Sequence, residues 1–599
     1  MDIFAPFNSD GYKLAHAFMY SDGTEIVYNN LTPRTDKIYR RTCTRYYDGK
    51  LVYVGGQGAM HEIVDSWNKF FAMPKQEALA LYKELCDFYL GEGAIPVENL
   101  ADLHDLGYLP LEIKTLDEGS KVPMGVPVMT IVNTVPSAYW LVNFLETTVS
   151  NLTWKSSTAA TIAAEYKAML MDFAKKTGTP IAGVLYQAHS FACRGMSGGE
   201  DSARSEFGHI ANFLGTDSLG SILYARNYYG ARGFVAASVP ATEHAVATSN
   251  ILRIEDELFG DNGVTYSFKS KRQERIFRNM CDNNEDARLI AEVMFLYELM
   301  LKFPKGILSY VTDSFDFWAM ISKGLPYLKE VIEERDGKLV IRPDSGVPED
   351  VVCGAHFIKA GVRGWDYQIE NAVEAYVRKE ADMFPVERGG DEGFEFEVVN
   401  EFGEYFGVQV SVVNYDGDRH VEIGCAWEED PTPEMKGAVR VLNEIFGGEV
   451  TSKGYILNND KIGLIYGDSI TTKRCLTILT RLEYNGFASG NCVFGVGSYT
   501  YQCVTRDTFG FAVKATFTRV NGKDIAIFKD PKTDSKKKSA KGRLFVSKTE
   551  WNKEDGEVFT LTDNVTEQLE QSPLNALTVR FRNGEFFNQT TLDIIRSKL

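Results

Sequence analysis

One pattern constrains the fold of this chain more than any other: short apolar runs that end in a polar signature and lead into a helical stretch. The clearest are IANFLGTDS ending at Ser218, FVAASVPATEH at His244, ILSYVTDS at Ser314, LVIRPDS at Ser345 and IGLIYGDS at Ser469. Repeated strand-then-helix segments are the mark of parallel βα units, which build a doubly wound sheet or a (β/α) barrel. In either architecture the C-terminal strand ends share one face, and the active site lies there. Asp217, Asp313, Asp344 and Asp468 each stand at such an end, directly before a serine. Asp and Ser are also good helix N-caps, so any single pair is explained more simply as a cap. Four pairs, with Arg342 and Gly467 beside them, point to one shared polar site.

The flanks follow other patterns. Lys75 to Tyr89 has helical spacing, as do residues 158–176, which run up to the breaker Gly178. LPLEIKTL and VPVMTIVNT read as strands around a turn-rich link. Residues 349–431 interrupt the βα rhythm: FEFEVV, VQVSVV and HVEIG alternate, with an NYDGD turn at 414–418, so an antiparallel β-rich insertion is expected. After it, TPEMKGAVRVLNEIFGG predicts one capped amphipathic helix closed by Gly447 and Gly448.

Composition narrows the function classes. By length alone, 599 residues suggest about four domains. With 64 basic and 82 acidic residues the formal charge is −18, which argues against a general nucleic-acid binder. That acidity is local. Residues 349–431 hold 20 acidic and 6 basic residues, so the insertion carries −14 and the rest of the chain is nearly neutral. No uninterrupted apolar stretch reaches the roughly 18 residues of a membrane span, and the N-terminus shows no secretory signal. Nine scattered cysteines without a C-x-x-C pair read as free thiols in a reducing compartment, so a cytoplasmic location is expected.

Several constellations could carry chemistry. In HSFACRGMSGG, Phe191 could stack on a flat ring and Arg194 fork onto a phosphate, although both suit ordinary core and surface roles. SVPATEH ends in His244, a strand-end imidazole able to act as base or as nucleophile toward a phosphoryl group, with Glu243 beside it able to hold the ring in one tautomer. A satisfied structural histidine is the bland alternative. GDSITTKR from Gly467 and the turn in CVFGVGSYTY offer backbone N–H groups to an anion, but neither is a Walker A loop or a dinucleotide fingerprint. The run 529–543 holds seven basic residues and two aspartates; it is a solvated loop or a polyphosphate attractor.

Taken in order, HSFACRG, GTDS, SVPATEH, SYVTDSFD, IRPDSG, GDS, VTRD and FKDP with its basic run closely resemble the nicotinamide phosphoribosyltransferases, of the type II phosphoribosyltransferase family. The resemblance runs from about Asp10 to the C-terminal region, broken at 349–431. It implies an α/β fold: an irregular (β/α) barrel with a flanking α+β domain formed by both chain ends. The expected domains are 1–150 and 501–599 for the flanking domain, 151–348 and 432–500 for the barrel, and 349–431 for the insertion. It also implies homodimers with active sites at the subunit interface, which join nicotinamide to phosphoribosyl pyrophosphate. ATP hydrolysis would be coupled through a phosphorylated histidine, with Mg²⁺ at the phosphates.

Residue by residue, the resemblance implies that Phe191 stacks one face of the pyridine and Tyr12 of the partner subunit the other. Asp217 would face the carboxamide, accepting from an amide N–H while repelling the carboxylate of nicotinic acid. Arg194, Asp344, Gly467, Asp468, Gly497 and Ser498 would form the phosphoribosyl cradle, with Arg342, Ser238 and Ser309 also on the substrate. Arg34, Arg506 and Lys514 would reach in from the other subunit. His244 would be the phosphorylated histidine, Asp313 its orienting carboxylate, with Glu243 adjacent. Three positions depart from the family pattern: Ser498 replaces a usual glycine, and Ser190 and Cys193 replace a usual aspartate and aromatic. The competing readings are a nicotinate-using enzyme, a catalytically silent scaffold, and a phosphotransferase whose main activity is turnover at His244.

Overall fold

Strand-forming segments from the two ends of the chain pair with one another. In the computed structural model, which describes residues 3–261, 265–379, 393–415, 418–467, 469–528, 540–552 and 556–599, they make one sheet of seven strands. Its order is Lys523–Ala526, Phe511–Val520, Thr24–Pro33, Met129–Asn133, Leu111–Thr115, Thr578–Arg582 and Glu585–Phe586, antiparallel throughout. The buried faces of Val27, Leu31, Ile113, Ile131, Val513 and Phe581 supply its core.

The chain divides into two compact units. The first comprises Met1–Ala168, Ser190–Ala237 and Ser498–Leu599, and contains this sheet. The second comprises Met169–His189 and Ser238–Gly497, and contains most of the βα rhythm. There Lys305–Val311, Asp336–Arg342, Ile462–Tyr466 and Val493–Val496 lie side by side, all parallel. Ala241 adds a parallel bridge to Ser309. The buried residues Leu308, Tyr310, Leu339, Ile341, Leu464 and Phe494 are β-branched, aromatic or leucine, as buried parallel strands require. Helices Ala287–Lys302, Leu325–Glu334 and Thr472–Tyr484 connect them, giving the α/β class read from the sequence.

Among the described residues, no Asp-Ser pair makes a side-chain cap bond to these helices. Asp316 caps the helix after the Asp313 strand, accepting from the Ala319 N–H at 2.9 Å, and Thr471 caps Thr472–Tyr484. Val347 precedes the helix Pro348–Cys353, and Ser218 precedes Leu219–Tyr228 without a side-chain cap bond. Asp217, Asp313 and Asp344 are therefore not spent on capping.

Two expectations need correction. The interruption is not purely antiparallel: His356–Ile358 runs parallel to Phe394–Asn400, and only the next two strands, Tyr405–Tyr415 and Asp418–Glu429, continue antiparallel. A helix, Tyr367–Lys379, also belongs to it, burying Ile369, Val373 and Val377 in a core shared with Phe396, Phe406 and Val410. Its i, i+4, i+8 apolar spacing was present in the sequence but hidden among charged residues. The helix expected after the insertion is two, Pro433–Lys436 and Ala438–Phe446, broken at Gly437, where φ is +75°. The backbone of Gly354 lies where a side chain at 437 would be, so the two ends of the insertion meet there. The Ala355 N–H donates to Met435 O across the same junction at 2.8 Å.

Candidate active site

In the second unit, strand register decides which polar residues meet. Val311 is paired with Arg342, so Asp313 and Asp344, each two residues further on, emerge together. Asp313 Oδ1 lies 3.0 Å from Nε2 of His244. Asp313 Oδ2 accepts from the N–H groups of Asp344 and Ser345, at 2.9 and 2.8 Å, and from the Ser345 hydroxyl at 2.7 Å. Burial by itself would raise the pKa of Asp313; the Ser345 hydroxyl, the Asp344 N–H and the His244 ring outweigh it and hold the carboxyl below its ordinary value. A carboxylate only accepts, so Nε2 carries the proton and Nδ1 keeps the lone pair. His244 is the first residue of the helix His244–Phe259, and its side chain is about half exposed while that of Asp313 is almost covered. Glu243, the exposed N-cap residue, makes no hydrogen bond to the ring among the described residues.

Arg342 is half-buried, with Nη2 donating to Thr242 O at 2.7 Å and Nε 3.8 Å from Asp344 Oδ1. A Cβ at Gly467 would fall 2.2 Å from Asp344 Oδ1, so only glycine allows this carboxylate to lie over the turn. Tyr466 donates its hydroxyl hydrogen toward Ser345 O and Gly346 O, both at 3.0 Å, fixing the loop from the neighbouring strand. A side chain at Gly497 would meet open space. Ser309 is buried and its backbone pairs with Pro240 and Thr242, while Ser238 is exposed. Asp468 and residues 529–539 of the basic run lie outside the described residues.

The first unit, taken by itself, holds the other residues expected from the sequence. Asp217 N–H donates to Ser190 O at 3.0 Å, which sets the exposed Asp217 one residue from the strand end that carries Phe191. Arg194 is exposed on the following turn, and a side chain at Gly195 would collide with Ser498 Oγ at 2.1 Å, so Ser498 fits because position 195 has none. Tyr12 is 62% exposed, edge-on to His16. Arg34, Arg506 and Lys514 are also exposed; Arg34 donates to Gly510 O at 3.0 Å, and Lys514 stands 3.7 Å from Glu146.

Sequence reasoning missed Ser345, Thr242, Tyr466 and the buried Glu206, whose carboxylate bonds Ser190 and Thr216. The Asp-Ser motif signals Ser345 as well as its aspartate. A lone tyrosine or glutamate in a helix or strand gives no such signal.

No cluster of three or more metal-ligating side chains exists among the described residues. A divalent ion such as Mg²⁺ takes oxygen ligands, and Asp344 is a strand-end carboxylate that could supply one. No helix among the described residues is long and apolar enough to cross a membrane, and all nine cysteines are free.

Carboxylates, an arginine, an oriented histidine and a glycine turn gather at the ends of parallel strands, the face on which α/β enzymes carry their sites. A nicotinamide phosphoribosyltransferase of Acinetobacter baylyi is 40% identical over 605 residues, spanning 99% of this chain and 97% of that one. One from Mycoplasma pneumoniae is 27% identical over 89% of this chain and 94% of its own. The nicotinate phosphoribosyltransferase (NAPRTase) family matches residues 400–585. The crystal structure of human nicotinic acid phosphoribosyltransferase aligns over 98% of this chain and 92% of its own at 13% identity, with a TM-score of 0.49. The chain belongs to the nicotinamide phosphoribosyltransferases, which are pentosyltransferases.

Proposed function

We propose that this enzyme transfers the phosphoribosyl group of phosphoribosyl pyrophosphate to nicotinamide, giving nicotinamide mononucleotide and pyrophosphate in NAD salvage. ATP hydrolysis is coupled to the transfer through phosphorylation of His244. The observation that supports this most directly is the cluster His244–Asp313–Ser345 beside Arg342, Asp344 and Gly467. Bond breaking at C1 of the ribose develops positive charge on the sugar and negative charge on the leaving pyrophosphate. Carboxylates such as Asp344 favour the first and cations such as Arg342 the second. Magnesium, when bound, neutralises charge on the phosphates.

His244 suits phosphoryl acceptance because Asp313 fixes the proton on Nε2, leaves Nδ1 nucleophilic, and stabilises the positive ring that forms. In this reading Phe191 stacks the pyridine and Asp217 accepts from the carboxamide N–H. Arg194, Ser238, Ser309, Gly497, Ser498 and Asp468 complete the substrate contacts. Tyr12, Arg34, Arg506 and Lys514 act across a homodimer interface, in the cytoplasm. The test incubates the purified protein with phosphoribosyl pyrophosphate, Mg²⁺ and either nicotinamide or nicotinate, with and without ATP. Formation of nicotinamide mononucleotide, faster with ATP, is expected; nicotinate mononucleotide alone would overturn the reading.

A further inference from the structure

We propose that Glu206 is a positioning residue for the pyridine substrate, tying together the two strand ends that carry Phe191 and Asp217. This rests on the nicotinamide reading and adds to it a residue that touches no substrate. Glu206 lies on the helix Gly199–Ile210 and is fully buried. Its Oε1 accepts from the Ser190 hydroxyl at 2.6 Å and its Oε2 from the Thr216 hydroxyl at 3.1 Å.

Each hydroxyl also spans the residue after it. Ser190 Oγ accepts from the Ala192 N–H at 3.4 Å, so this turn brackets Phe191. Thr216 Oγ1 accepts from the Ser218 N–H at 2.9 Å, so this one brackets Asp217. The Asp217 N–H to Ser190 O bond joins the two turns directly. One carboxylate therefore sets the spacing between the ring-stacking side chain and the carboxamide acceptor. A side chain serving only to fill space here would be apolar, since burying a carboxylate is costly unless its bonds are used.

The other groups facing Glu206 are the carboxylate of Asp217, the hydroxyl of Ser218 and Tyr501. Tyr501 is bonded at 2.8 Å to Nδ1 of His209, which is held through Nε2 to Gly215 O at 3.0 Å. Burial first, and the charge of Asp217 with it, push the Glu206 carboxyl up to about 7 against the Ser190 and Thr216 bonds. Above that pH the carboxylate accepts from both hydroxyls. Below it, the acid donates to one of them, and that hydroxyl's own hydrogen loses the carboxylate as its acceptor.

The experiment measures the KM of each substrate across pH 6–8.5 for the wild type, Glu206→Ala and Glu206→Gln. The expected result is a KM for nicotinamide raised about tenfold in Glu206→Ala, the effect of losing a charged hydrogen bond. The KM for phosphoribosyl pyrophosphate should change less than about twofold. Glu206→Gln, which keeps an acceptor and the shape of the site, should recover most of the loss and remove the rise in nicotinamide KM toward low pH. Equal changes in both KM values for the Gln variant, or no change in either variant, would overturn the proposal. If the wild type uses nicotinate instead, the functional reading falls and the same comparison on nicotinate decides the role of Glu206. A wild type that turns over neither pyridine overturns both.

Discussion

Replacing Asp313 with asparagine isolates what its carboxylate does. In the wild type, Oδ2 takes three donors from Asp344 and Ser345, while Oδ1 takes the His244 Nε2–H at 3.0 Å. An amide offers one oxygen and one NH2 group. The three donors claim the oxygen, so the NH2 faces His244 and donates to Nε2. The ring proton then moves to Nδ1, the nitrogen that must attack phosphorus. Weakening three charged acceptor bonds to neutral ones costs about 1–3 kcal/mol of stability. The effect on chemistry is larger: imposing the wrong tautomer on a catalytic histidine lowers rates by about 10⁴ in the serine-protease triad. The assay is incorporation of base-stable, acid-labile phosphate from γ-labelled ATP, with ATP-independent mononucleotide synthesis measured in parallel. Phosphorylation should fall by about 10³–10⁴ while the uncoupled synthesis changes far less. Phosphorylation at the wild-type rate would refute the tautomer argument.

Other expectations follow from single contacts. Glu292 is buried, accepts from Tyr310 at 3.0 Å, and is pushed up to about 8, first by burial and then by Asp316 and Asp313. Its pKa is higher folded than unfolded, so its contribution is fully present below about pH 4.5 and is lost as pH rises through 8, a swing of roughly 5 kcal/mol at most. Glu292→Gln should therefore raise Tm relative to wild type at pH 9 and not at pH 4.5, read by scanning calorimetry. Gly195→Ala should cost about 1–3 kcal/mol through its collision with Ser498, and Ser498→Gly should restore the denaturation midpoint. Asp217→Ser should reduce the preference for nicotinamide over nicotinate by at least about tenfold, or 1.4 kcal/mol, in competition assays. Deleting residues 356–430, which hold a core of their own, should leave a folded enzyme with altered KM or oligomeric state; unchanged kinetics and assembly would show that the insertion serves neither.

What could be read from the sequence was whatever depends on local pattern. The strands ending at Val311, Arg342 and Tyr466 were visible because buried parallel strands are short apolar runs, and their aspartates stood out at the ends. Register was not visible. That Val311 faces Arg342, and so brings Asp313 to Asp344 and Ser345, is a long-range fact that no spacing encodes. The resemblance implies a domain made by both chain ends, but not the register in which Thr24–Pro33 pairs with Phe511–Val520 across most of the chain. Glu206 escaped notice because a buried glutamate in the helix Gly199–Ile210 reads like any solvated one until its partners are known. The helix break at Gly437 was missed because its cause, the backbone at Gly354, lies far away in sequence.

The central claim is the reaction, and product identity tests it most directly. Purified enzyme with phosphoribosyl pyrophosphate, Mg²⁺ and an equimolar mixture of nicotinamide and nicotinate should yield nicotinamide mononucleotide almost exclusively, with ATP raising the yield and His244→Ala removing that increase. Accumulation of nicotinate mononucleotide, or ATP hydrolysis with no mononucleotide formed, would contradict the account.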